Sequence, residues 1–399
     1  MNTVNKDIFI RCIFCIPFIW CFSGLFLYAD ANKELALLTF VVFLFSIFNL
    51  GPKQILQQIN ERRITWLFIT MSIIAIVGKL TNGYSSSELR VLLSLTLLSI
   101  ITPKNSLQYL KKNLSSLSVL GCLVSFIYCY YEAITLGTPR PSWGINPIPY
   151  TTFTASVVIM CLWFSFHEHR KKNQILLCIA SLIGASAILI SQTRGTLLAL
   201  ILAFIYLIIF SSIKKDLIFK LLIPIIIIGF TFGYFNNNKI EQRYLQTKHE
   251  YTQIMNGNLN TSIGYRLQMW QAGYELSKSP TFLGLGSNHI EKKQELYEEG
   301  KISLGSVKWT HYHNQYITTF IKNGIIGFLL LLSLISIPII YHKKLVNSRN
   351  ADSHIGILAL IVFLTASLTD IPFSQPVTLA FYGILMMIIT LGDEATDID

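Results

Sequence analysis

The stretch KWTHYHNQYITTF, residues 308–320, sets two of the chain's eight histidines, His311 and His313, on either side of a tyrosine, with Asn314 next and a long apolar run behind. Three kinds of chemistry are open to that pattern. In an extended segment His311 and His313 would point the same way, as metal ligands can, but nothing nearby supplies a third ligand for zinc. Asn314 is a good N-cap for a following helix. A histidine with an ordinary pKa near 6.5 can also accept a proton at physiological pH and so act as a general base. Other polar residues stand out elsewhere: Glu132, Arg140 in TPRPSWGINPIPY, Arg194 in SQTRGT, Arg266 in SIGYRLQMW, and Asp370 before Ile-Pro. The planar guanidinium fork suits phosphate, to which it makes two charge-assisted hydrogen bonds. Several arginines with a histidine and no acidic cluster point to a phosphate-bearing substrate and away from a divalent metal, which wants oxygen ligands. Plainer roles stand beside these. Arg194 can anchor two helix ends at a membrane interface, Arg140 can pair with Glu132, Arg266 can sit on an exposed helix face, and Asp370 can cap a turn. Lys322, one turn into the apolar run, reads as a side chain that snorkels to the interface.

The elements that must position these residues are set by composition. The 399 residues are 52% hydrophobic and 13% charged, against about 25% charged in a soluble domain, so lipid is the main solvent. The net charge of +11 does not argue for nucleic acid, because the basic residues sit in short clusters between apolar runs. The seven cysteines all lie in apolar segments. They read as small packing residues, with no second pair or histidine to complete Cys12-x-x-Cys15 as a zinc site. Twelve apolar stretches are candidate membrane helices, near 8–28, 34–51, 65–82, 87–102, 114–136, 149–167, 174–192, 195–212, 217–235, 315–341, 354–370 and 376–391. A cleavable signal peptide is disfavoured, because the first apolar stretch exceeds the usual length. Lysine and arginine crowd alternate connections: Lys53, Arg62 and Arg63; Lys104, Lys111 and Lys112; Arg170, Lys171 and Lys172; Lys214 and Lys215; Lys343, Lys344 and Arg349. Both termini are therefore expected in the cytoplasm, and the long polar segment 236–314 on the opposite side. Within it, 262–280 reads as a surface helix with an apolar stripe of Ile263, Leu267, Trp270 and Tyr274, opened by Ser262 and closed by Pro280. The candidate residues all fall on the extracytoplasmic side. The bilayer midplane carries almost none of the ionisable groups that a proton-coupled transporter needs.

On these residues the chain resembles the bacterial lipopolysaccharide O-antigen ligase family and, more distantly, the O-antigen polymerases and O-linked oligosaccharyltransferases of the same superfamily. The pattern H-[N/S/Q]-x9-G-x-x-G is met by His313-Asn314, Gly324 and Gly327. R-x3-L is met by Arg194 and Leu198, and the loop arginine by Arg266 in GYRLQMW. The resemblance implies an all-α integral membrane protein of about twelve transmembrane helices, with the architecture of polyprenyl-phosphate-dependent (GT-C-like) glycosyltransferases. Residues 1–235 would hold helices one to nine, 236–314 a periplasmic loop with its membrane-surface helix, and 315–399 the last three helices and an acidic cytoplasmic tail. It implies transfer of a glycan from undecaprenyl diphosphate to a sugar hydroxyl of lipid A–core, at the periplasmic face of the inner membrane. The anomeric centre would be inverted, without metal, ATP or other cofactor. Under this reading His313 is the base, Arg194, Arg266 and Arg140 hold the diphosphate, and Asn314, His311, Asp370 and Tyr265 support them. The partners are the lipid-linked donor, the lipid A–core acceptor and membrane lipid, with no nucleic acid. A polymerase or O-oligosaccharyltransferase using the same donor is the alternative, and a transporter of polyprenyl-linked glycan a more distant one. The short connection between the fifth and sixth stretches favours the ligase.

Overall fold

A long apolar segment in lipid has to be helical, because a helix satisfies its own backbone polar groups within one stretch of chain. The structure is a computed structural model that describes residues 3–210, 237–278, 282–345 and 353–392; among these residues every regular element is a helix. The chain runs through α1 (Thr3–Cys21), α2 (Asn32–Asn49), α3 (Pro52–Glu61), α4 (Arg63–Thr81), α5 (Ser86–Ile101), α6 (Lys104–Lys112), α7 (Leu114–Tyr130), α8 (Pro147–His167), α9 (Lys171–Ser191) and α10 (Arg194–Phe210). The polar insertion carries α11 (Asn237–Met255), α12 (Ser262–Ser277), α13 (His289–Glu298) and the single turn α14 (Leu304–Val307). Then come α15 (Gln315–Leu345), α16 (Ser353–Ser367) and α17 (Pro376–Leu391). Among the described residues seven helices are long and apolar enough to cross a membrane, and the pair α5–α6, bent by 107°, makes an eighth if it is one span. α10, α16 and α17 are apolar but shorter. Each apolar stretch expected from sequence coincides with a helix here, except 217–235, which lies outside the described residues.

Two connections depart from the sequence reading. Residues 52–61 and 104–112 are amphipathic helices rather than loops, too short and too polar to span. The eleventh apolar stretch stops being helical at Ser367, which leaves Asp370 in the connection to α17.

α8 and α17 are apolar all round and buried along nearly their whole length, as helices enclosed by other helices must be. α8 packs on α7, α9, α10, α16 and α17. At Gly184 a Cβ would lie 2.6 Å from Val158, so the missing side chain lets α9 close on α8, the usual device where lipid leaves no hydrophobic force between helices. The outer helices leave large apolar side chains such as Phe48, Leu80, Ile175 and Ile201 exposed. Such a belt far exceeds what a soluble surface tolerates and is the lipid face of an integral membrane protein.

α15 is broken. Gly324 sits at φ 67°, ψ −165° inside it. The loop ahead of α13 is threaded against the break: Leu285 N donates to the Ile321 carbonyl (2.8 Å) and Ile326 N to the Phe282 carbonyl (3.2 Å). The same loop is clamped to the α4–α5 turn, where Ser287 N donates to the Asn82 carbonyl (2.7 Å) and Asn82 Nδ2 to the Gly284 carbonyl (2.8 Å). The insertion also has its own small core of Met269, Ala272, Leu296, Ile302, Val307 and Tyr312, closed from below by Ile321 of α15.

The clamp depends on Gly286, whose φ is +54° and whose Cβ, if present, would lie 1.9 Å from the Asn82 carbonyl oxygen. Gly257 also has positive φ, at +81°, but faces open space. Gly286→Ala is expected to lower the melting temperature of the detergent-solubilised protein well beyond Gly257→Ala, whose cost is backbone strain alone, about 1–3 kcal/mol. Equal shifts for the two variants would refute the clamp.

Candidate active site

The site grows from the start of α15. Asn314 caps that helix, its Oδ1 accepting from Tyr316 N (3.0 Å) and Ile317 N (3.1 Å). The residue before the cap, His313, holds φ +47°, a left-handed conformation uncommon outside glycine and characteristic of functional positions. Gln315 then ties the helix to the α16–α17 connection: its Nε2 donates to Thr319 Oγ1 (2.8 Å) and Ser374 Oγ (2.9 Å), and its Oε1 accepts from Phe373 N (2.8 Å). That clasp brings Asp370 to the histidines.

From the other side, Lys293 of α13 is fully buried. It donates to the Val307 carbonyl (3.2 Å) and to the Trp309 carbonyl, and its ammonium lies 5.5 Å from the Tyr312 ring centre. Burial, with the charge of Lys322 adding to it, pushes its pKa down to about 8. The Tyr312 hydroxyl meets His289 Nδ1 at 3.3 Å. The segment 307–313 is thus pinned at both ends.

The pinned segment presents a compact trio. His311 Nε2 lies 3.6 Å from Asp370 Oδ1, and the His311 and His313 rings are 4.4 Å apart, with Trp309 packed edge-on 4.7 Å from His313. His311 Nε2, His313 Nδ1 and both Asp370 oxygens are buried without a hydrogen-bond partner among the described residues. Buried polar atoms are normally paired, so these atoms together are free to take further hydrogen bonds and make this cluster the candidate site. Burial pushes His313 down to about 4, helped by the positive charge of Arg266 and opposed by the Thr369 backbone. Burial pushes His311 down to about 3, with His313 and Lys322 adding to it. Burial raises Asp370 to about 6, against the Ile371 backbone and Arg266. At neutral pH the arrangement is two neutral imidazoles, both able to accept a proton, beside a carboxylate and a guanidinium.

One ligand atom from each of His311, His313 and Asp370 lies within 4.8 Å of the others, so geometry alone would let the trio hold a cation. The charge of Arg266, felt by both His313 and Asp370, opposes a dication there and suits an anion.

The arginines come from separate elements. Arg266 is half-buried on α12. That helix is capped by Thr261, whose Oγ1 accepts from Gly264 N at 3.0 Å, and ends at Ser277. The helix thus starts at Ser262 as expected, with its cap one residue earlier at Thr261, and it ends before Pro280. Its buried face is Gly264, Gln268, Met269, Ala272 and Gly273, while the stripe of Ile263, Leu267, Trp270 and Tyr274 is exposed. Arg194 opens α10, exposed, with Nη1 donating to Thr247 Oγ1 of α11 (3.1 Å). Arg140 Nη2 donates to Thr193 Oγ1 (3.3 Å), which puts it at the same turn. That turn starts from Gln192, the second non-glycine residue with positive φ. Gly195 in that turn lies against Thr369, the residue before Asp370. Tyr265 is packed under Gly305 in the insertion's core, a structural position. Sequence reasoning missed Lys293, which looks like a surface charge in HIEKKQELYEE, and Gln315 and His289, which carry no pattern. For His313 strain and for Gln315 no sequence signal existed. A cue for Lys293 lay in its i, i+3 spacing with Leu296, the buried face of α13.

Residues 176–332, from α9 into α15, match a family model described as O-antigen ligase. An uncharacterized protein of Haemophilus influenzae is 28% identical over 274 residues, 62% of this chain and 63% of that protein, so the chain spans less than two thirds of that relative's length. The matched segment contains Arg194, Arg266, His311 and His313 together with the broken span that carries Gly324. Residues 176–332, less than half of the chain, are thus the part that is similar to the O-antigen ligase family.

Proposed function

We propose that the chain is an inner-membrane O-antigen ligase, which transfers a glycan from undecaprenyl diphosphate to a sugar hydroxyl of lipid A–core at the periplasmic face. The observation that carries this reading is the cluster of His311, His313 and Asp370, close together and buried within the field of Arg266. In the proposed reaction the acceptor hydroxyl approaches His313, which takes its proton as the oxygen bonds to C1 of the donor sugar. The C1–O bond to the diphosphate breaks on the opposite face, the anomeric centre inverts, and the diphosphate departs with the bonding electrons. Arg266, with Arg194 of the 192–195 turn and Arg140 hydrogen-bonded to that turn, binds the diphosphate and offsets its growing charge. The resting site keeps His313 unprotonated. Arrival of the diphosphate cancels the field of Arg266 and raises the proton affinity of His313 when the base is needed. Asp370 and His311 orient it. The positive-inside bias supports periplasmic placement, and the short connection at 136–146 supports a ligase over a polymerase.

A lipopolysaccharide gel of a strain lacking the gene discriminates the readings. Bare lipid A–core with polymer retained on its carrier fits a ligase, whereas core bearing one repeat unit fits a polymerase. With purified enzyme, His313→Ala is expected to lower kcat by about 10²- to 10⁴-fold while donor and acceptor KM stay within a few-fold. Arg266→Ala should raise the donor KM as well as lower kcat. A folded His313→Ala protein turning over like the parent would remove the base assignment. Transfer should continue undiminished in excess EDTA; loss of activity restored by one divalent metal would reassign the trio as a metal site.

The Asp370 carboxyl, raised to about 6, ionises as pH rises through that value, so kcat/KM should climb between about pH 5 and 7 and then level. Asp370→Asn is expected to lower the plateau and erase that limb. An unchanged acid limb would exclude Asp370 from the reaction.

A further inference from the structure

Beside the trio lies a polar pocket of about 130 Å³, between the α4–α5 turn, the 284–290 loop and the first turns of α15. Its walls include Glu88, Lys322, Ser287, Asn323, Ser374 and Tyr84. Glu88 is buried on the first turn of α5 and its carboxylate accepts from the Tyr84 hydroxyl. Lys322 attracts Glu88 electrostatically, but the two do not close to a 4 Å ion pair. The pocket adjoins the reacting groups: Thr310, on its wall, precedes His311; Ser374 accepts from Gln315; and the charge of Lys322 reaches His311. Lys322 therefore faces a pocket rather than snorkelling to the interface as its place in the sequence suggests.

The chemistry of the walls narrows the occupant. A buried carboxylate rejects phosphate, and a lining of hydroxyls, an amide and two opposite charges rejects a lipid tail. A carboxylate that accepts, facing an ammonium that donates, matches adjacent hydroxyls of a sugar, each of which does both. The volume falls well below the roughly 300–1,000 Å³ of pockets for drug-sized ligands and is on the scale of one monosaccharide. We propose that this pocket is a saccharide subsite that seats one uncharged sugar residue of the glycan substrate, Glu88 and Lys322 binding its neighbouring hydroxyls. The assignment rests on the glycan-transfer reading above. The sugar comes either from the acceptor core or from the donor glycan, and the pocket's position beside His311 is compatible with both.

The test uses the full chain in lipid nanodiscs, as wild type, Glu88→Gln and Ile290→Trp. The glutamine keeps an acceptor for Tyr84, and Ile290, exposed on the pocket wall, tolerates bulk that fills the mouth. Both variants are expected to raise one apparent KM by about tenfold or more, the size of a lost hydrogen bond to a charged group, with kcat within about threefold. A rise confined to lipid A–core assigns the sugar to the acceptor, and a rise confined to the lipid-linked glycan assigns it to the donor. Two unchanged KM values, or a fall in kcat alone, would overturn the subsite while leaving glycan transfer intact. Wild type that transfers nothing would instead overturn the transferase reading. Saturation-transfer NMR with free glucose, galactose, N-acetylglucosamine and rhamnose then decides the pocket without turnover. At least one sugar should give a signal in wild type that Glu88→Gln abolishes, and equal signals in all three proteins, or none in wild type, would refute it.

Discussion

The hydrogen bond from Leu285 N to the carbonyl of Ile321 is the contact on which the site depends. A span interrupted by a glycine at φ 67° loses part of its internal ladder, and near lipid no water stands ready to replace it. The protein supplies backbone instead. The 282–288 loop lies against the break, donating above it and accepting below it. That loop lies within the polar insertion, between α12 and α13, so repairing the helix also docks the insertion on the bundle. Clamped to Asn82 as well, it joins α15 to the α4–α5 turn and encloses the space between them.

Docking has an electrostatic consequence. The 307–313 segment is held down by a buried lysine that spends two hydrogen bonds on backbone carbonyls. Its histidines are thereby taken out of water. A dry imidazole near cationic side chains stays neutral, which is the form a general base requires. The same dryness holds Asp370 above the ordinary carboxylate range. A site exposed to solvent would have neither property, because water would screen the field of Arg266 at the imidazole.

Much of this was legible in the residues. Apolar length marks the helices, because lipid admits few alternatives, and the sequence spacing singles out His313, Asn314, Arg194 and Arg266. The Asn314 cap follows from side-chain chemistry alone, and the structure has it. What was not legible has a common cause: it depends on which charged side chain is covered by a distant segment. Lys293 and Lys322 have the local context of surface or interface lysines, yet one is wrapped by the 307–309 carbonyls and the other faces Glu88 from more than two hundred residues away in sequence. Gln315 looks like an ordinary residue in a helix start, and its value lies in reaching Phe373 and Ser374. The amphipathic α3 and α6 were missed for a different reason, since their apolar positions are too few to show a period against the basic clusters that flank the spans.

The spacing in His313-Asn314-x9-Gly-x-x-Gly can be read as a length. Gly324 lies eleven positions after His313, and at about 1.5 Å per residue the break lies roughly 16 Å below His313 along α15. That is three turns, and it brings Gly324 back to about the helix face from which the chain entered. The loop that mends the break therefore rises on the same side as the histidines instead of around the back of the helix. Moving the glycine by two residues would rotate the break by about 200° and send the loop to the opposite face, away from Asp370 and the 192–195 turn. Gly327 belongs to the same geometry: a Cβ there would lie 2.2 Å from the Cβ of Asn323, so its absence leaves room for the residue that lines the pocket just before the break. A motif that reads as one histidine and two glycines is, physically, a strained histidine ahead of a capped helix, a measured stretch of helix, and the place where the polar insertion is fastened to a membrane span.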